Sequence, residues 1–450
     1  MSEVKLRFAP SPTGFLHAGN ARVAVINWLM AATNQGSMVL RIDDTDQARS
    51  LPKFTNAIRR DLNWLTLDWT SEVHQRDRID LYDKAANTLK EKGRLYACYE
   101  TPEELEFKRR RQLKAGKPPI YDRAGLYLSQ DDRTALQATG HVPYFRFKLK
   151  NSPIRWDDLI RGPSHFEGSA LSDPILIRGD GTYLYHLPSC TDDIDLGITH
   201  IVRGEDHVSN TAVHIQIFEA LGGQIPTFAH LPLMTDITGV GLSKRLGSTT
   251  VHSLREQGCE PLALAHHLAK LGSINTDLQI SCLKDLFERF DIAKINQAKP
   301  KFDLDQLWAD NTKFLRSMPF GTAKKRFDNI GLTNITIEFW QCVQKNLKTF
   351  DDSCIWHKVC FGDITPIIDD PSFVAEALKQ LPPEPWDNDT WANWTTTLAT
   401  TSKKRGKQLY LPLRKAITGE EQGPELNALL PLIGREKVML RLQAAKGKQV

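Results

Sequence analysis

The sequence predicts an α/β fold: an open parallel sheet, interrupted by an α+β insertion and followed by an all-helical C-terminal region. Three observations point there. Residues 4–8 alternate apolar with basic, 38–42 and 198–202 are short strand-like runs, and each leads through a loop to a helical stretch, as parallel strands do. Residues 99–185 change character, with a highly charged helix followed by strictly alternating and short strands. Beyond about residue 320, strand alternation gives way to helical apolar spacing. The expected boundaries are 1–98 and 186–250 for the two halves of the sheet domain, 99–185 for the insertion, 251–320 for a linking helical domain and 321–450 for the last helical domain.

Composition is that of a soluble globular protein, and a net charge of +4 permits nucleic-acid binding without arguing for it. The first residues, MSEVKLRF, lack the apolar segment of a signal peptide. The apolar run after Asn20 is too short to span a bilayer and contains Arg22 and Asn27. Seven scattered cysteines with no CxxC pair fit a reducing cytoplasm. Neither G-x-G-x-x-G nor a Walker A element occurs, so any nucleotide site is of another type.

Residues 7–20, RFAPSPTGFLHAGN, run from a strand through a loop broken by Pro10, Pro12 and Gly14 into a helix. A helix N-terminus offers unpaired N–H groups to an anion. Gly19 would let a nucleotide approach closely, and His17 can offer a ring N–H to a phosphate oxygen. The sixteen residues RFAPSPTGFLHAGNAR resemble the signature of bacterial-type glutamyl-tRNA synthetases, whose HxGN element is their form of the class I HIGH motif. The resemblance implies a class I Rossmann-type sheet. It also implies that His17 stabilises a transferring α-phosphate while Gly19 and Asn20 shape the ATP site.

Residues 37–46 read as a second strand ending in Asp43, Asp44 and Asp46. In an open α/β sheet ligands lie outside the carboxyl ends of strands, which would bring this cluster near Arg7. Asp44 and Asp46 are also placed to cap the next helix, and three clustered carboxylates admit a divalent metal. The family usually carries Glu where Asp43 stands. Residues 58–69 and 76–92 have helical apolar spacing.

In the insertion, Arg109, Arg110 and Arg111 either touch phosphates or form a solvated face. Many relatives hold zinc here on a Cys-x-Cys pair and later ligands. This chain keeps Cys98 but has Glu100 at the second position, and no Cys follows Tyr121, so no zinc and no other protein-held metal is expected.

The second half of the sheet carries RGEDH and then GLSKR at residues 241–245, which lines up with the KMSKS motif. Gly241 replaces its first Lys, which shifts the pyrophosphate role onto Lys244 and Arg245. By resemblance, His17, Asn20 and Lys244 are catalytic. Ser243, Lys244 and Arg245 join His17, Gly19 and Asn20 around ATP, which brings Mg²⁺. Arg7, Ser11, Asp43, Tyr185, Ser189 and Arg203 surround L-glutamate, with Arg7 reading its anionic side chain.

The match weakens over residues 325–395 and returns at GKQLYLPLRKAITGEEQGPEL. Glutaminyl enzymes end in β-barrels, so the helical reading favours the bacterial glutamyl type. Lys403, Lys404, Arg405, Lys407 and Arg414 are the candidate contacts to an anticodon loop. Trp386, Trp391 and Trp394 either stack on bases or fill a core. The implied activity is glutamate–tRNA ligation by a monomer on tRNA(Glu), with tRNA(Gln) open as a second acceptor. A specialised or non-catalytic tRNA-binding paralogue is the alternative. A short paralogue modifying a tRNA base, or a nucleotidyltransferase without tRNA, fits the C-terminal third poorly.

Overall fold

The computed structural model describes residues 3–241, 249–272, 282–288, 290–333 and 335–444. The chain divides into two compact units, Met1–Arg255 with Leu264–Asp303, and Glu256–Ala263 with Leu304–Val450.

In the first unit, β1 (Lys5–Phe8), β2 (Ser37–Ile42) and β3 (Ser71–His74) pair in parallel in the order β1-β2-β3. A second sheet joins β6 (Ile154–Asp158), β7 (Gly162–Phe166), β9 (His200–Gly204) and β10 (Thr227–Leu231) in the order β7-β6-β10-β9. The two adjoin where Thr199 N–H donates to Lys5 O at 2.9 Å and Lys5 N–H donates to Thr199 Oγ1 at 2.8 Å. The carboxyl ends of β1, β2, β9 and β10 thereby place Arg7, Arg41, Arg203 and His230 in neighbouring positions.

Helix α1 (Ala18–Thr33) is buried on most of its circumference, and Ala21 and Ala24 allow close approach to the sheet. Its buried polar residues find backbone partners: Asn27 Nδ2 donates to Val202 O on β9, and Arg22 donates to Pro232 O and Leu271 O. Helix α2 (Pro52–Trp64) corrects the capping expectation. Its N-cap is Leu51, which makes no side-chain cap bond. Asp44 instead accepts from His74 Nδ1 at 2.8 Å and from Arg76 N–H at 3.0 Å, while Asp46 takes Arg49. Asp43 is held by Arg41, so the three acids face separate cations rather than one another.

The β6–β7 hairpin also differs from expectation. It lies within the residues read as an insertion, yet β6 pairs in parallel with β10 at Asp158 and Phe228. Asp158 is the cause: its Oδ1 accepts the N–H groups of Ile160, Arg161 and His230. A separate antiparallel sheet joins β4 (Leu95–Cys98), β5 (Tyr144–Phe147) and β8 (Ile175–Ile177); β5, β8 and α4 (Pro102–Lys114) fall within residues 99–185, whereas β4 precedes them and follows α3 (Ile79–Glu91). Here Tyr121 Oη donates to Glu100 at 2.9 Å and lies 3.4 Å from Cys98 Sγ; Tyr144 and Lys108 also donate to Glu100. Burial pushes the Cys98 thiol up to about 11, which keeps it protonated. Arg109 and Arg110 lie exposed and pair with Glu106.

The described part of the second unit is helical, from Leu304–Ser317 to Arg435–Gln443. Trp394 is 2% exposed in its core, and Trp386 and Trp391 pack against that core, so these rings are packing groups rather than free stacking platforms. Arg414 is half-buried with Nη2 on Pro424 O, and Lys404 pairs with Asp370 at 2.8 Å. Lys403, Arg405 and Lys407 are exposed. The basic stretch therefore divides by role, because Arg414 faces inward.

Arg441 donates to the carbonyls of Ile417, Val359 and Gly362, which ties three chain segments together. Arg441→Leu leaves those acceptors unpaired, with an expected loss of about 3 kcal/mol. Chemical denaturation followed by tryptophan fluorescence checks this, and an unchanged midpoint would refute it.

Candidate active site

A cleft of about 470 Å³ opens at the carboxyl ends of the parallel strands. Arg7, Ser11, His17, Gly19, Asn20, Asp43, Tyr185 and Arg203 all line it, so eight of the expected site residues meet in one place. Ser189 is fully buried beneath it, where its Oγ accepts from Arg41 Nη2 at 3.1 Å. Ser243, Lys244 and Arg245 lie outside the described residues.

His17 is the N-cap of α1. Its Nδ1 accepts the N–H groups of Gly19 at 3.1 Å and Asn20 at 3.3 Å. The expectation that these N–H groups face an anion is thus corrected: the imidazole takes them. Because Nδ1 is an acceptor, the ring proton sits on Nε2. Burial lowers the His17 pKa, which favours this neutral form. Gly19 lines the cleft and also has a local use. A Cβ there would lie 2.8 Å from the His17 ring, so only glycine lets the ring fold back onto the helix end.

Arg7 Nε donates to Asp193 Oδ1 at 3.1 Å, while its Nη1 and Nη2 make no hydrogen bond to any described residue. Arg41 completes the base of the cleft. It donates to Asp193 at 2.8 Å and holds Asp43 through two bonds of 2.7 and 3.2 Å. Tyr185 leads into α6 (His186–Asp195; α5 is Gln130–Ala138), and its Oη accepts from Arg203 Nη1 at 3.1 Å. The site therefore combines a neutral imidazole N–H donor beside a helix N-terminus with two guanidinium groups. That arrangement suits a phosphate and a carboxylate side by side.

Residues 3–309 match the family described as tRNA synthetases class I (E and Q), catalytic domain. The chain belongs to that family. Residues 371–446 match an anticodon binding domain. The chain is 50% identical over 440 residues to a glutamate–tRNA ligase of Azospirillum brasilense, covering 98% of each chain. It is also 50% identical over 442 residues to glutamate–tRNA ligase 2 of Methylobacterium sp. (strain 4-46), covering 97% of this chain and 98% of the relative. Among solved structures, the glutamate-tRNA synthetase of Elizabethkingia anophelis superposes with a TM-score of 0.80 at 25% identity, over 99% of this chain and 100% of the other.

In this class I synthetase, several groups that build the site do not stand out in the sequence. Arg41 lies inside an apolar strand, and only its position two residues before Asp43 hints at the pair. Asp192 is buried and accepts from Gln75, Arg78 and Tyr82. His230 on β10 and His214 on α7 (Val208–Leu221) contact Arg203, and Asp158 on β6 contacts His230; none of the three lies in a recognisable motif.

The Asp43–Arg41 pair sets an expected acid limit for the synthetase. Burial pushes the Asp43 carboxyl up to about 6, against the pull of Arg41. Above that pH Asp43 is ionised and holds Arg41; below it the pair loosens. The folded value lies above the usual 3.8, so protonation relieves a burial penalty and this group's contribution to stability rises as pH falls from about 6 to 4. Activity with glutamate is expected to fall through about pH 6 without unfolding. A pH–rate profile beside a pH–melting profile tests this; unchanged kcat/KM down to about pH 5 would contradict it.

Proposed function

We propose that this chain is a glutamate–tRNA ligase. The observation that carries the reading is the pair of guanidinium groups at the cleft, with the Arg7 terminal nitrogens bonded to no acceptor among the described residues. A γ-carboxylate satisfies that charge, whereas the carboxamide of glutamine would leave it poorly met. The names of the half-identical relatives support the same substrate.

The reaction has two steps. An oxygen of the glutamate α-carboxylate attacks the α-phosphorus of ATP, and pyrophosphate leaves with glutamyl-adenylate formed. A terminal ribose hydroxyl of tRNA then attacks the activated carbonyl, and AMP leaves. Mg²⁺ enters with ATP as part of the substrate. His17 donates its Nε2–H to an α-phosphate oxygen as charge builds there. Asn20 bounds the nucleotide, and Ser243, Lys244 and Arg245 receive the departing phosphates. Tyr185, Ser11 and Asp43 bound the amino acid, with Ser189 acting from below through Arg41. Lys403, Arg405 and Lys407 are the basic residues offered to the anticodon arm, and the enzyme works as a cytoplasmic monomer.

The deciding test is charging of purified glutamate and glutamine tRNAs separately, with ATP, Mg²⁺ and labelled glutamate. Charging of tRNA(Glu) alone is the expected result. Charging of both makes tRNA(Gln) a second acceptor and marks an indirect route to its glutamine form. Failure on both, with ATP still bound, overturns the reading.

A further inference from the structure

We infer that Asp158 and His230 form a positioning pair that fixes how Arg203 is presented to the substrate, resting on the reading of Arg203 as a glutamate ligand. Neither residue lines the cleft. Both are buried, Asp158 at the end of β6 and His230 on β10. Asp158 Oδ2 lies 2.5 Å from His230 Nδ1, and a carboxylate can only accept, so the proton is on Nδ1. His230 Nε2 is then a bare lone pair. It accepts from Arg203 Nε at 3.3 Å and lies 2.9 Å from Thr211 Oγ1.

The remaining donors of Arg203 have the same kind of partner. Nη1 reaches Tyr185 Oη at 3.1 Å and His214 Nδ1 at 3.3 Å, and Nη2 reaches Thr211 Oγ1 at 2.6 Å and His207 O at 3.4 Å. A guanidinium only donates, so His214 Nδ1 must be an acceptor and its proton sits on Nε2, directed to His186 Nδ1 at 3.1 Å. Burial and the charge of Arg203 lower the pKa of both His186 and His214 in keeping with that. Arg203 is thus held by neutral acceptors alone among the described residues, in contrast to Arg7 and Arg41, which each touch a carboxylate. Asp158 reaches Arg203 only through the His230 imidazole. The pair orients the guanidinium without neutralising it, which leaves its charge for an incoming carboxylate.

Asp158→Asn separates this role from structure. The Asn carbonyl can keep the three backbone N–H groups, while its amide turns to His230 Nδ1 and drives the ring proton to Nε2. An N–H then faces the Arg203 N–H. The expected result is a rise of about ten- to a hundredfold in KM for glutamate in the charging assay, with KM for ATP unchanged. In a His230→Gln background, the Gln amide places its own carbonyl near the Nε2 position, and Asp158→Asn is expected to add no further rise. An equal rise in both backgrounds, or none in either, overturns the pair. ¹⁵N NMR of the imidazoles in the wild-type protein, assigned with His230→Gln, gives a second test that needs no folded Asp158 variant. Protonated Nδ1 with bare Nε2 supports the pair, and the opposite tautomer overturns it. Arg203→Lys identifies the other failure: an unchanged KM for glutamate there removes Arg203 from the pocket reading, whatever Asp158 does.

Discussion

Arg7→Gln is expected to lower kcat/KM for glutamate by about two to three orders of magnitude, the cost of removing one partner from a desolvated charge pair. Arg7 brings two terminal nitrogens to the cleft while its Nε is anchored on Asp193. Removing it does not strand Asp193, because Arg41 Nη1 remains 2.8 Å from the same oxygen. The loss should therefore fall on substrate and not on folding. Most of it should appear in KM for glutamate, because in the proposed role the charge meets the side chain and not the reacting α-carboxylate. Discrimination against glutamine should narrow in the same variant, because a carboxamide no longer faces an unmet cation. Charging kinetics with each amino acid, next to a melting curve, measure both effects. A variant with wild-type KM for glutamate would remove Arg7 from the pocket.

His17→Asn is expected to reduce kcat by about a hundred- to a thousandfold while the protein melts as before. The two ring nitrogens do separate jobs. Nδ1 caps α1 through Gly19 and Asn20, and Nε2 carries the proton that faces the cleft. Asn supplies a good cap oxygen with no donor at the Nε2 position. His17→Ala removes both functions and should also cost about 1 kcal/mol of stability. If His17→Asn turned over at the wild-type rate, the imidazole would be only a helix cap, and phosphate charge would have to be met elsewhere.

What was legible in the sequence was local. β1, β2 and α1 follow from alternation and from the Pro and Gly breaks between them. The elements that no local pattern announces depend on partners far along the chain. β3 has the sequence SEVH, with no apolar alternation, and is a strand because β2 lies beside it. β6 joins β10 through residues 70 positions apart, a pairing that no window of the sequence contains. The site shows the same division. Eight expected residues meet in the cleft, yet the use of Gly19 is set by a ring two residues away. Arg414 reads as one of a basic run, but helical geometry turns it inward. Arg41, Asp158 and His230 carry no motif of their own; burial and mutual contact give them their roles.

The seam between the two parallel sheets bears on how the protein is born. Arg7 meets Asp193 across 186 residues, and Lys5 meets Thr199 across 194. At about 5–20 residues per second, a ribosome needs about 10 to 40 s to supply the partners of the first strand. Throughout that interval the nascent chain holds an unmatched sheet edge and an unanswered guanidinium. The lining of the cleft is complete only when Gly241 has been translated, long after His17. Chains stalled before β9 should therefore be sensitive to protease at β1, and chains released beyond β10 should be protected there.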